Sequence, residues 1–250
     1  MQLGFFISGG AGQMMQNRLD SISNNLANAN TIGYMEDKTA FSSMFSNKMG
    51  REGQPDSTSA ASLSMNSQYT SIEPGSIRNT GSEFDFAIQG KAFFRVQMQD
   101  GSEALTRAGN FRMDAEGNLK TQGGQAVLDN SGTPIQLPIG KITATDNGTI
   151  FVNGEPASQL GLSMLKDARQ IQKAEGVLIH TPIENIIEAD DSVAVHHMSL
   201  EQSNVNSILT MTSMISTMRE YESMMKTLEQ YNQQASSLMT GSAWFRDKES

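Results

Sequence analysis

The strongest constraint in this 250-residue sequence is the stretch 205–239, which contains no Gly and no Pro. Across it Ile208, Met211, Ile215, Met218, Tyr221, Met225, Leu228, Tyr231, Ala235 and Leu238 recur at steps of three or four. That spacing predicts a helix over 203–239 with one apolar side, and Ser203 or Asn204 suits its N-cap. At about 1.5 Å per residue the uninterrupted part spans roughly 52 Å. A compact domain built from the middle of the chain is only about 36 Å across. A single apolar stripe also leaves so long a helix marginal in isolation, so it requires partners.

The opposite end supplies one. Ile7, Ala11, Met15, Leu19, Ile22, Leu26 and Ala29 form a second stripe at the same spacing. Gly9, Gly10 and Gly12 weaken its first turns by about 1 kcal/mol each relative to Ala, but small residues also let two backbones approach. The expectation is that the two helices pair, with Leu19, Ile22, Leu26, Ile215, Met218 and Leu228 as inter-helix and assembly contacts. Of the seventeen Met, only Met98, Met113 and Met164 fall between positions 66 and 197. Met adapts to irregular neighbours, and this distribution favours contact surfaces at the two ends.

Between the ends the texture changes twice. The run Asn24-Asn25-Leu26-Ala27-Asn28-Ala29-Asn30-Thr31-Ile32-Gly33-Tyr34 reads as a helix stop and a turn, fixed by Asn25, Asn28 and Gly33. Residues 35–71 are polar and low in complexity, and are expected to order only against neighbours. From 72 to 200 short β-rich runs (84–88, 92–98, 110–113, 141–145, 149–152, 160–165 and 177–180) alternate with Gly, Asn and Asp turn signals, as in hairpins. The fold class is therefore α+β. Long terminal helices, 1–34 and 201–250, pair as a coiled-coil-like stem beside a central all-β sandwich or irregular barrel over 72–200.

Charge and composition narrow the function. A net charge of −9, with no basic run, argues against nucleic acid as a partner. No run of eighteen apolar residues suggests a membrane span, and residues 1–30 lack the basic start and apolar run of a cleavable signal peptide. There is no Cys. His196 and His197, adjacent on a strand, point to opposite faces and make a poor chelate. Asp146-Asn147-Gly148 and 114–118 lack the spacing of a calcium loop, and Gly9-Gly10-x-Gly12 lacks the context of a phosphate loop. Glu184, Glu188, Asp190 and Asp191 read as a solvated acidic loop rather than a hydrolytic pair. No cofactor, metal or small-molecule substrate is expected. On the residues alone, a β-domain binding module with helical oligomerisation ends and a cell-wall hydrolase using Asp190 or Asp191 remain as rivals to a structural subunit.

Four ordered segments resemble one family. Asn25-Leu26-Ala27-Asn28 with Thr31-x-Gly33-Tyr34 is similar to the N-terminal signature of bacterial flagellar rod and hook proteins. Phe84-Asp85-Phe86-Ala87-Ile88-Gln89-Gly90 with Phe93-Phe94-x-Val96, and Leu105-Thr106-Arg107-Ala108-Gly109-Asn110-Phe111, resemble its β-domain segments. Ser203-Asn204-Val205-Asn206 with Arg219-Glu220-Tyr221-Glu222 resembles its C-terminal signature. Lys91, where that family usually carries an acidic residue, Ile32 and Tyr34 in the turn, and the Trp244-Phe245-Arg246-Asp247 tail depart from the pattern.

Length places the resemblance with rod proteins of the FlgF/FlgG type, nearest the proximal-rod member, with a distal-rod or hook-like axial protein as the alternative. The resemblance implies a non-enzymatic subunit that assembles helically and transmits torque. It further implies that other rod and axial proteins are its partners, and that the flagellar type III apparatus exports it to a periplasmic rod.

Overall fold

The computed structural model describes residues 2–44, 62–167, 171–174, 176–190 and 192–246. The segment 45–61, Asp191, and the side chains of Ile7, Ala11, Tyr231, Ala235, Leu238 and the 244–247 tail lie outside the described residues. The chain forms two units. One comprises Met1–Asn24, Thr39–Gln68 and Ile208–Ser250, the other Asn25–Lys38 and Tyr69–Ser207. With two α-helices and a large antiparallel β body among the described residues, the class is α+β.

The first unit holds helix α1 (Gln2–Ala27) up to Asn24 and helix α2 (Ser207–Arg246) from Ile208. Arg18 lies 4.0 Å from Glu220, and a Cβ added at Gly12 would sit 3.9 Å from the Met224 methyl. Positions rise along α1 as they fall along α2, so the two run in opposite directions. The 3.9 Å spacing is ordinary side-chain contact, so close backbone approach is not the reason for a glycine at Gly12. In the Ser/Thr-rich α2, Thr212 donates to the Ile208 carbonyl and Thr227 to the Ser223 carbonyl, so each hydroxyl is satisfied by a carbonyl one turn back that it shares with the helix.

α2 begins at Ser207, four residues later than the spacing predicts. Ser203 and Asn204 are not its cap, because both are engaged before the helix starts. Ser203 Oγ accepts from Val205 N–H at 3.2 Å, and Asn204 is bound to the β body. Of the polar segment 35–71, the described residues include two strands. Asp37–Met44 and Ser62–Thr70 pair as a two-stranded sheet, since a ladder of backbone hydrogen bonds needs no apolar core of its own.

In the second unit the organising strand is Ala92–Gln97, paired antiparallel with Glu103–Thr106, Ala126–Val127 and Leu162–Leu165. Its near-continuous apolar run fits a strand covered on both faces. Ala92, Phe94 and Val96 enter the main core with Phe86, Ile88, Phe111, Leu160 and Val195. Phe93, pointing the other way, joins Met35, Leu105 and Ile179 in a second cluster. Leu105 and Ile179 reach it by the same alternation, while their neighbours Ala104 and Leu178 face the main core.

Several strands carry no apolar alternation. Glu155–Gln159, exposed along most of its length, is held as an edge by pairing with Thr149–Val152. Ser199–Glu201 pairs with Ile77–Asn79.

Candidate functional site

Where the chain enters and leaves the β body, three of the patterned segments meet. The Asn-rich turn brings Gly33 in with a left-handed φ of +66°. Its N–H donates to the Glu201 carbonyl at 3.0 Å. The Glu201 carboxylate accepts from Gly75 N–H at 2.9 Å and from Arg107 Nη1 at 3.0 Å. Arg107 also donates through Nη2 to the Gly90 carbonyl at 2.8 Å and lies 4.8 Å over the Phe93 ring. The pair is buried, with side chains 1% and 4% exposed. Burial pushes the Glu201 carboxyl up and the Arg107 guanidinium down, while each partner opposes the shift of the other.

Two asparagines bind backbone rather than surface. Asn25 donates to the Asp37 carbonyl at 2.8 Å and accepts from Asp37 N–H at 2.9 Å and from the Tyr34 hydroxyl at 3.2 Å. Asn204 accepts from Glu36 N–H at 2.7 Å and donates to the Glu73 carbonyl at 2.8 Å and the Ser71 carbonyl at 3.2 Å. Each amide thus spans a stretch of backbone that would otherwise need a strand partner. Asn28 accepts from the Thr31 hydroxyl at 3.1 Å, within the turn. Lys173 closes the other side. It donates to the Met35 carbonyl at 2.6 Å, pairs with Asp37 at 2.8 Å and lies 4.1 Å over the Tyr34 ring.

Burial, and after it the negative charges of Asp37 and Glu36, push the Tyr34 hydroxyl from 10.0 up to about 12, while a hydrogen bond from Asn28 opposes the rise. The folded value lies above the unfolded one. The contribution is therefore complete below pH 10 and is lost as pH climbs through 12, and it is worth up to about 2–3 kcal/mol. Alkaline titration of tyrosinate absorbance should show a last step that Tyr34→Phe removes. A variant whose final step matches the native protein would place the late tyrosine elsewhere.

The first unit carries a surface of a different kind. The spacing of the α2 stripe predicts packing on α1, yet Ile208, Met211, Ile215, Met218 and Met225 are 39–75% exposed. The buried side of α2 runs instead through Thr210, Met214, Thr217, Tyr221, Met224 and Leu228, with Thr217 fully covered. A straight helix turns about 100° per residue, so a chain of threes and fours can drift from one side to another. Tyr221 and Leu228 fall on the covered arc, while Met218 falls about 80° and Ile215 about 140° from its centre. Leu19, Ile22 and Leu26 are half-buried. Sequence spacing thus merges two faces into one.

The remaining candidates are accounted for by local bonding. Asp114 accepts from Glu116 and Asn118 N–H and pairs with Lys120 at 2.7 Å; hydrogen bonds from Lys120 and Asn118 hold its carboxyl well below the usual range. Asn147 closes its own turn by accepting from Thr149 N–H. Asp190 is engaged by Ser192, whose hydroxyl and N–H hold its carboxyl low. His196 contacts Gln89, and His197 donates to the Glu83 carbonyl. Among the described residues no group of three or more His, Asp or Glu is placed to hold a metal, and no helix is long and apolar enough to cross a membrane.

Residue-type reasoning passes over Arg107, Glu201 and Lys173. The available signal is a charged residue, Arg107, set between Leu105 and Ala108 in an otherwise apolar and small run.

The match to known proteins falls on the same segments. Residues 7–34 match the family model described as flagella basal body rod protein, and residues 87–152 that of the flagellar hook protein FlgE/F/G D1 domain. Residues 198–240 match the C-terminal model of the flagellar basal body rod FlgEFG protein. Similar proteins include the flagellar basal-body rod protein FlgF of Mesorhizobium japonicum, 33% identical, and that of Rhizobium meliloti, 31% identical. Each alignment covers 89% of this chain and 90% of the relative. FlgF of Escherichia coli is 29% identical over 90% of this chain and 92% of its own length. With identity above 30% along nearly nine-tenths of its length, the chain belongs to the FlgF/FlgG-type family of flagellar basal-body rod proteins.

Proposed function

We infer that the chain is a structural, non-enzymatic subunit of the flagellar basal-body rod, in contact with other axial subunits. Its terminal helices form a coiled-coil-like inner stem (1–34 and 201–250), with 72–200 as an outer β layer and 35–71 completing its order against neighbours. Asn25, Asn28 and Gly33 set the turn that enters the β layer. Leu19, Ile22, Leu26, Ile215, Met218 and Leu228 serve the stem, with Ile215 and Met218 directed to another subunit. The contacts are head-to-tail and do not close on themselves, so they propagate a helical polymer that carries torque through many packed side chains. Delivery to the periplasm runs through the flagellar type III apparatus.

One observation carries this reading: α2 leaves Ile208, Met211, Ile215, Met218 and Met225 of its apolar stripe exposed within the chain. Full burial of an apolar side chain contributes about 1.5–3 kcal/mol, so covering the open half of five stripe residues yields roughly 4–7 kcal/mol per subunit.

The Cys-free sequence allows a direct test. Ile215→Cys and Met218→Cys should react freely with maleimide in the monomer and become protected or cross-linked in isolated rods. Thr217→Cys should be protected in both. Stripe cysteines that stay fully reactive in assembled rods would remove this face from the interface.

A further inference from the structure

Arg107 and Glu201 form a buried charged pair inside the β body. Removing two charges from water is costly, and a buried pair is often matched or exceeded in stability by apolar side chains of similar volume. Arg107 Nε is buried without a hydrogen-bond partner among the described residues, which adds to the cost. Stability alone is a poor reason to keep such a pair.

Its bonds are directional, and their destinations are informative. Glu201 precedes α2 by six residues. Its carbonyl receives Gly33 N–H, at the end of the Asn-rich turn, and its carboxylate receives Gly75 N–H. Arg107 joins that carboxylate to the Gly90 carbonyl. Three residues on, Asn204 N–H donates to the Tyr34 carbonyl at 3.3 Å, while its side chain receives Glu36 N–H. The incoming segment 31–36 and the outgoing segment 201–205 are thereby set in one register against each other. An apolar filling of the same volume would exclude water equally well but would not choose between neighbouring registers.

We propose that the Arg107–Glu201 pair is a positioning device that fixes the register of the incoming and outgoing segments for assembly, at the expense of fold stability. Its role in assembly rests on the rod reading; its role in register does not.

The test compares Arg107→Met, Glu201→Met and the double variant in the full-length chain. Each single change leaves one buried charge unpaired and should lower the melting midpoint by about 10 °C or more, roughly the effect of breaking such a pair. The double variant should recover most of that loss. Spin labels at Asn30→Cys and Gln202→Cys, two exposed sites flanking the clamp, should give a narrow distance distribution in the otherwise native chain. In the double variant that distribution should broaden at least twofold, and swimming should fall by more than half in the parent bacterium lacking its native copy.

A double variant that melts as low as the singles overturns the proposal, because the pair would then hold the fold itself. A double variant with an unchanged distance distribution overturns it as well. Broadened distances with undiminished swimming would sink the assembly role alone. If the unaltered chain fails to restore swimming, it is the rod reading that falls, and the distance measurement on purified protein still decides the register.

Discussion

Gly33→Ala is expected to lower the stability of the β body by more than about 4 kcal/mol, a loss reached only when a substitution breaks a specific structural device. Two costs combine. A Cβ at φ +66° is itself unfavourable by about 1–2 kcal/mol. The greater cost is steric. The new atom would stand 2.3 Å from the Ala108 amide nitrogen and 2.5 Å from the Arg107 carbonyl carbon, both backbone atoms that cannot swing aside. Relief requires the turn to move away from the 107–108 segment, which breaks the Gly33 N–H bond to Glu201 and disturbs the clamp.

Gly81 provides the control. It has a φ of +76° but nothing within 4 Å of an added Cβ, so Gly81→Ala should carry only the conformational penalty. For a body of roughly this size each kcal/mol moves the midpoint by about 2–4 °C, so thermal unfolding followed by circular dichroism resolves the two readily. Equal losses at both glycines would show that the close approach at Gly33 carries no cost.

The second large effect is expected in assembly and not in the monomer. Ile215→Glu combined with Met218→Glu places two carboxylates on a face that is already half open to water, so the isolated chain should melt within about 0.5 kcal/mol of the original. In a rod the same carboxylates must be desolvated without partners. That costs several kcal/mol per contact and recurs at every subunit. Swimming should therefore be abolished while the purified monomer is unchanged. Thr217→Glu should behave in the opposite order, destabilising the monomer itself, because Thr217 is fully covered. Normal swimming by the double-glutamate chain would place the rod contacts of α2 elsewhere.

Legibility in the sequence follows how much of each element depends on its own side chains. Thr149–Val152 and Ala92–Gln97 are readable because alternation or a dense apolar run states which faces are covered. Glu155–Gln159 and Ser62–Thr70 are not, since backbone pairing to a neighbour holds strands whose side chains carry no such record. Both long helices are visible from periodicity, but the covered side of α2 is not. Steps of three and four fit either of two arcs, and only the fold distinguishes Thr217 from Met218. At the clamp, Gly33 is legible as a turn residue, whereas its partner Glu201 is not. Nothing local marks a carboxylate as buried when the residues that bury it lie far away in sequence.

That separation also orders the events of folding. Gly33 and Glu201 are joined across 168 positions, as are Glu36 and Asn204. Closing a loop of that length costs about 4–5 kcal/mol in chain entropy beyond a constant, and the cost is recovered only when both ends are present. In a nascent chain the bonds from Gly33 and Glu36 therefore wait through most of its synthesis, while the local bonds of the same turn do not. The clamp within the β body closes late, through residues that emerge in the final quarter of the polypeptide.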